Sequence, residues 1–230
     1  MIKFLITFLL IMGLNIPVYL EVYKHILRHK SILFQIIITM VYWAVAFMTQ
    51  TLGALIAIIY LYVVFYRKTK QEETLREINI WHIDVSDAIL ISVISIFARI
   101  LILAVNLAYV IVLDKLFNYD IQPQDVVLYY TGAELWLKGI LAVEIVLIAP
   151  MVEEFVFRFF LYDKLLVNKM PRYMAAIISA ALFALVHFNV AGIPTFFGLG
   201  LFCAYMYEKK GYWGAVIAHG VSNAFTLLFL

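Results

Sequence analysis

Successive apolar runs, broken by short loops rich in lysine and arginine, constrain this chain more than any other feature. They cover about residues 2–19, 32–66, 88–113, 137–162, 173–188, 195–207 and 212–230. In lipid, every backbone N–H and C=O must find its partner within the protein, so runs of this length are read as helices. Composition agrees. A soluble domain is about half apolar and a quarter charged, whereas this chain is 66% hydrophobic and 14% charged. Its mean hydropathy is +0.99. The expected fold is therefore all-α: a polytopic transmembrane bundle of about seven spans (roughly six to eight). The net charge of +2 gives no reason to expect a nucleic-acid partner. The partner implied throughout is the lipid bilayer.

Loop charge orients the spans. The loops holding Arg67–Arg76, Lys164–Arg172 and Lys209–Lys210 are basic, the connection from Asp114 to Glu134 is acidic, and Asn189–Pro194 is uncharged. Basic loops face the cytoplasm, which predicts a cytoplasmic N-terminus for six alternating spans. The basic loop at Lys24–Lys30 breaks that alternation. The run 32–66 is too long for one upright crossing and short for two, so a single tilted or broken helix, bent near Thr51-Leu52-Gly53, is expected. Residues 71–87 mix charge with Ile78, Trp81 and Val85 and read as an interfacial amphipathic segment or a loop. The N-terminal run, with no small-residue cleavage site after it, reads as an uncleaved first span. Cys203, the single cysteine, reads as a small buried hydrophobe.

Ionisable residues inside these runs need a joint explanation, because each costs roughly 2.5–3.5 kcal/mol to insert. Glu153 and Glu154 are followed by Arg158, His187 follows Phe183 by one turn, and Asn223 follows His219 at the same spacing. Adjacent helix residues point about 100° apart, so only one of the two glutamates can aim into a shared cavity. Glu154 and Arg158 stand at the favourable i, i+4 spacing for an ion pair. That leaves Glu153 as the reactive carboxylate. A glutamate near a histidine can hold a water and take its proton. His219 and Asn223 can both donate to an oxyanion. Two histidines and a glutamate (Glu153, His187, His219) also match the ligand set of catalytic zinc, but no HExxH is present. Metal and metal-free hydrolysis both stay open, and no cofactor is certain. The depths suggest one cavity opening toward the cytoplasm, with His187 the deepest member.

These motifs resemble those of a known family. Glu153-Glu154-Phe155-Val156-Phe157-Arg158 resembles the EExxxR motif of the CAAX protease and bacteriocin-processing (Abi) family. Phe183–His187 resembles its FxxxH motif, and His219–Asn223 its HxxxN motif. The family includes the type II CAAX prenyl endopeptidases, and the likeness spans about residues 137–223. Hydropathy assigns N-terminal transmembrane helices and an amphipathic connection to 1–134, and the resemblance implies catalytic helices in 135–230. It implies an active site within the membrane and an endopeptidase acting on a membrane-associated peptide or protein. Glu153 would activate water with His187 assisting, His219 and Asn223 would hold the oxyanion, and Glu154, Arg158 and Phe183 would support them. The family is described as metallopeptidase, and a metal-independent glutamate mechanism has also been proposed for it. Phe159 departs from the glycine that many members carry. Small bacterial members are linked to peptide maturation and bacteriocin self-immunity, which implies a multi-pass protein of a bacterial plasma membrane.

Two other classes compete. A non-catalytic scaffold or immunity protein would tolerate loss of Glu153. A proton-coupled carrier would use the same groups as a relay, although the first half shows no repeat of the polar pattern. Arg99 and Glu144, both mid-span, are expected to form an ion pair, or else Glu144 extends the cavity.

Overall fold

A computed structural model of the chain describes residues 2–69, 83–122 and 125–230, and among these residues it is all-helical, with no strand. In chain order the helices are α1 (Ile2–His25), α2 (Ile32–Thr49), α3 (Leu52–Thr69), α4 (Val85–Phe117), α5 (Asp125–Gly132) and α6 (Leu135–Val143). They continue with α7 (Ala149–Glu154), α8 (Arg172–Leu185) and α9 (Ile193–Leu227). Ile32–Thr49, Val85–Phe117 and Val190–Leu227 are long and apolar enough to cross a bilayer, and Leu52–Val63 and Arg172–Leu185 are shorter apolar helices. The chain is a helical membrane protein. Most of the amphipathic stretch expected at 71–87 lies outside the described residues. Its last residues start α4, where Asp84 caps the helix by accepting the Asp87 N–H at 2.7 Å.

The run 32–66 is two helices rather than one bent span. The chain turns at Gln50, a non-glycine residue at φ 59°. A Cβ on Gly53 would lie 3.3 Å from the Ala46 nitrogen. Seven residues of continuous helix would separate those positions by about 10 Å, so α3 folds back along α2. Asn15 of α1 ties this turn down, donating to the Gln50 carbonyl at 2.8 Å, while Tyr42 of α2 donates to the Asn15 carbonyl at 3.0 Å. Polar side chains bonding between helices act this way in membranes, each contributing about 0.6 kcal/mol on average.

α9 also reverses. Gly211 sits at φ 68°, ψ −164°, which only glycine adopts readily. The Cys203 thiol lies 3.8 Å from the Ala215 carbonyl, although twelve residues of straight helix would span about 18 Å. The two arms, 193–210 and 212–227, therefore lie side by side, as the separate spans 195–207 and 212–230 anticipate.

From α6 to Leu166 the helix runs without a break but changes pitch twice, with π-helical turns at Glu144–Ile148 and Phe155–Leu166. Pro150 explains the first. In π register Ala149 donates to Glu144, and the next bond would run from residue 150 to Ile145. Proline has no N–H, so the Ile145 carbonyl loses its partner within the helix.

One end of the bundle collects the basic loops. Lys164 pairs with Glu21 at 2.6 Å, Lys210 with Asp87 at 2.5 Å, and Arg172 with Glu208. Tyr162 donates to Glu208 at 2.6 Å and Tyr207 to Asp163 at 3.1 Å. The Glu208 carboxylate accounts for part of this clustering, since its hydrogen bond holds the Arg172 guanidinium above its ordinary pKa. The α1–α2 loop, the 164–172 loop, the Gly211 turn and the start of α4 thus share one face.

Candidate active site

The two adjacent glutamates have different environments. Glu154 is fully buried and faces two partners. Its Oε2 lies 3.0 Å from the Arg158 Nε, which is also fully buried, and its Oε1 accepts the His219 Nδ1–H at 2.7 Å. Arg158 donates a second bond to the Gly200 carbonyl at 3.0 Å. Glu153 turns into a cavity instead. Its Oε2 stands 3.8 Å from the His219 Nε2 and has no hydrogen-bond partner. The expected division, with Glu154 paired to Arg158 and Glu153 left over, is what the structure shows.

The histidines are held from behind. His187 follows the end of α8, in a turn where Phe188 takes φ 47°. Its Nδ1 lies 2.6 Å from the Phe183 carbonyl. A carbonyl only accepts, so Nδ1 carries the proton and Nε2 keeps a free lone pair. The ring stacks on Phe196 at 3.9 Å and 15°. His219 uses Nδ1 on Glu154 and so presents Nε2 to Glu153. Phe183, fully buried, backs the whole set: its ring lies 4.7 Å from the His187 ring, 5.5 Å from the His219 ring and 4.6 Å from the Arg158 guanidinium.

Asn223 is fixed by the π-helical turn. Its Nδ2 donates to the Ile145 carbonyl at 2.9 Å, the group that Pro150 leaves unpaired. An amide NH₂ has two protons, so one N–H remains for the cavity. Gly220 permits this approach, because a Cβ there would fall 2.6 Å from the Val146 carbonyl oxygen. The Asn223–Ile145 bond was not foreseen from sequence, although a proline inside an apolar run is a visible sign of a freed carbonyl.

Glu153, His187, His219 and Asn223 line one cavity of about 840 Å³. Its walls continue through Tyr119, Val126 and Tyr130 to Val190. These residues lie at the end of the bundle away from the basic loops, and no residue of those loops lines the cavity. The expected opening toward the basic face is therefore reversed. His187, expected as the deepest member, lies just past the end of α8, and the site within the bundle is reached from that far end.

Two further expectations change. Arg99 and Glu144 do not pair: Glu144 accepts a bond from Thr51 at 2.6 Å, and Arg99 donates to Thr226 at 2.7 Å. Glu144 is a wall of the α3 contact rather than an extension of the cavity. The trio Glu153, His187 and His219 does not gather as a metal site. Among the described residues, the His, Cys, Asp and Glu donor atoms that lie within 4.8 Å of one another are those of Glu154, Cys203 and His219. There the Glu154 and His219 atoms already bind each other, and Glu154 also pairs with Arg158. Neither set fits zinc as it stands, where ligand atoms at about 2.0–2.3 Å surround the ion.

No curated protein and no solved structure gives a significant match to the chain. A family model does, over residues 134–225, and its description is type II CAAX prenyl endopeptidase Rce1-like. That interval starts beside α6 and ends two residues past Asn223, so it holds Glu153, Glu154, Arg158, Phe183, His187, His219 and Asn223. Residues 134–225 are thus similar to the Rce1-like type II CAAX prenyl endopeptidases, and the match supports the CAAX protease likeness carried by the motifs.

Proposed function

We propose that the chain is an intramembrane endopeptidase in which Glu153 activates a water for attack on a peptide carbonyl. The supporting observation is the asymmetry of the two glutamates. Glu154 stands 3.0 Å from Arg158 and 2.7 Å from His219, whereas Glu153 lines the cavity with no ionic contact closer than 3.8 Å. A water about 2.7 Å from both Glu153 Oε2 and His219 Nε2 bridges their 3.8 Å gap with an angle of about 90° at its oxygen. Glu153 takes one proton of this water as its oxygen bonds to the carbonyl carbon. The resulting oxyanion is held by the free N–H of Asn223 and, when Nε2 is protonated, by His219. The proton on Glu153 then passes to the amide nitrogen, the C–N bond breaks, and an acid and an amine leave. The Nε2 lone pair of His187 offers the water a second acceptor. The scheme uses no metal ion: Glu153, its water and the substrate carry every proton in it.

The α2–α3 reversal also supports an orientation. With α2 and α3 as separate crossings of about 27 Å each, the chain makes about eight crossings, and all the basic loops, Lys24–Lys30 included, fall on one side. That side is the cytoplasm. The N-terminus is then outside, in place of the cytoplasmic N-terminus expected from six spans, and the cavity is reached from outside.

The test compares cleaved peptides and new termini in membranes carrying wild type or Glu153→Gln at matched expression. Peptides present with wild type and absent with the variant support the proposal. Identical profiles, with biological activity kept by the variant, favour a scaffold and end it.

A further inference from the structure

His187 sits in a turn just past the end of α8, so its ring needs more than its own backbone to aim it. One restraint is the hydrogen bond from Nδ1–H to the Phe183 carbonyl at 2.6 Å. A single bond fixes one atom of an imidazole and lets the ring tip about it. The second restraint is a flat contact. The Phe196 ring lies 3.9 Å from the imidazole at 15°, whereas the Phe183 ring meets it at 59°. The bond sets where Nδ1 sits and the parallel ring sets the plane. Together they set the line along which the Nε2 lone pair points.

Phe196 is itself held. The Asn189 side-chain oxygen accepts the Gly192 N–H at 2.8 Å and closes the turn between α8 and α9. Pro194 stands at the start of α9, and Asn106 of α4 accepts the Thr195 N–H at 3.3 Å. Phe196 follows in the first turn of the helix and lines the cavity with His187. Its ring occupies the space that a side chain at position 192 would need. A Cβ on Gly192 would fall 2.5 Å from Phe196 Cε2 and 3.2 Å from its Cδ2. Gly192 has φ −94° and ψ 0°, a conformation that other residues adopt in turns. Its backbone therefore does not require glycine, but the Phe196 ring does.

We propose that Phe196 is a positioning residue for His187 and that Gly192 keeps open the space in which it stacks. This rests on the peptidase reading above, in which His187 Nε2 accepts from the attacking water. Phe196 touches no reacting atom there and acts through the imidazole, by keeping the acceptor in line with the water. A misplacement of about 1 Å costs up to about a hundredfold in rate. Gly192→Ala pushes the outer end of the Phe196 ring off the imidazole, so it disables the same contact that Phe196→Leu removes.

Two readouts test this. The first needs no turnover: proton–nitrogen correlation spectra of histidine-labelled protein in detergent micelles, with the His187 signals assigned by their loss in His187→Gln. The stacked Phe196 ring should shift the His187 ring protons upfield in wild type, and both Phe196→Leu and Gly192→Ala should move them downfield. Signals that keep their wild-type positions in either variant overturn the proposal. The second readout is cleavage of the peptides whose cut ends Glu153→Gln loses. Phe196→Leu and Gly192→Ala should each lower kcat about tenfold and leave KM within about twofold. Phe196→Tyr, which keeps a flat ring, should stay within about threefold of wild type. Gly192→Ala combined with Phe196→Leu should cost no more than Phe196→Leu alone. Losses that multiply in the double variant, a loss carried by KM, or Phe196→Tyr as slow as Phe196→Leu overturns the proposal. Where Phe196→Leu does not fold, Phe196→Met takes its place with the same expectations. Shifted His187 signals with unchanged kcat refute the positioning role and leave the peptidase standing. Wild type that cuts nothing refutes the peptidase, and the spectra alone then uphold or overturn the contact through Gly192.

Discussion

Replacing each of the adjacent glutamates by glutamine is the same chemical change in two different settings, and the structure predicts opposite outcomes. Glu154 is wholly buried and 3.0 Å from an Arg158 that is wholly buried too. Removing its charge leaves a guanidinium with the Gly200 carbonyl and the Phe183 and Phe157 rings and no carboxylate in ion-pair reach. Breaking a buried pair in this way costs about 3–5 kcal/mol. The glutamine can still accept from His219, so the expected loss is about 3 kcal/mol, roughly a hundredfold in the folding equilibrium. Glu153 has no ionic contact closer than 3.8 Å, its side chain is 20% exposed, and one oxygen lacks a partner. Its glutamine variant should unfold within about 0.5 kcal/mol of wild type, yet lose about 10²–10⁴ in cleavage rate. Unfolding in detergent micelles, followed by helical content, measures the first quantity, and the appearance of new peptide termini in membranes measures the second. Equal destabilisation by the two variants, or cleavage retained by Glu153→Gln, would refute the assignment of roles.

Four further outcomes are expected. Gly220→Ala puts a methyl 2.6 Å from the Val146 oxygen, so the second arm of α9 must retreat. Activity should fall about a hundredfold with about 1–3 kcal/mol of stability lost, and a variant matching wild type in both would show that the close approach is not needed. The Asp87 N–H, and then the Ser86 hydroxyl, hold the Asp84 carboxylate below its ordinary value of 3.8. A lowered value means the ionised cap stabilises α4 above that pH and loses its effect as pH falls through the folded value. Unfolding of wild type and Asp84→Ala should therefore differ at pH 7 and converge in strong acid, whereas a constant difference would contradict the capping account. Zinc chelators should leave cleavage unchanged, as rates with and without 1,10-phenanthroline will tell. A membrane-impermeant maleimide applied to intact cells should label Gln122→Cys and spare Lys30→Cys, and the reverse pattern would invert the orientation.

Much of the site was legible because spacing on one helix is a local property. The pairing of Glu154 with Arg158, the shared face of His219 and Asn223, and the Phe183–His187 turn follow from i, i+4 geometry alone. What was hidden depends on changes of pitch or direction. Asn223 finds Ile145 because π turns around Pro150 rotate a carbonyl outward, and hydropathy carries no trace of that rotation. Arg99 and Glu144 looked like partners because both are charged and mid-span, but Thr51 and Thr226, neutral and unremarked in sequence, reach them first. The break was expected near Thr51-Leu52-Gly53, beside the turn at Gln50, but a full reversal was not, because no glycine or proline marks residues 49–51. Reading two helices as one bent helix also changes where the basic loop at Lys24–Lys30 falls in the alternation of loop charge. Thr226 was within reach of sequence reasoning, since it continues the His219–Asn223 face by three residues.

The turn at Gly211 has a mechanical consequence. A hairpin closed by a single residue has no slack, so its arms cannot slide past each other as two helices joined by a long loop can. Its tip is also moored, through Lys210, to Asp87 at the foot of α4. A slip of one helical turn, about 5.4 Å, would carry His219 out of reach of Glu154 and move Thr226 away from Arg99 together. His219, Asn223 and Thr226 are thus carried on one arm, so Glu154 and Arg99 keep their partners together or lose them together.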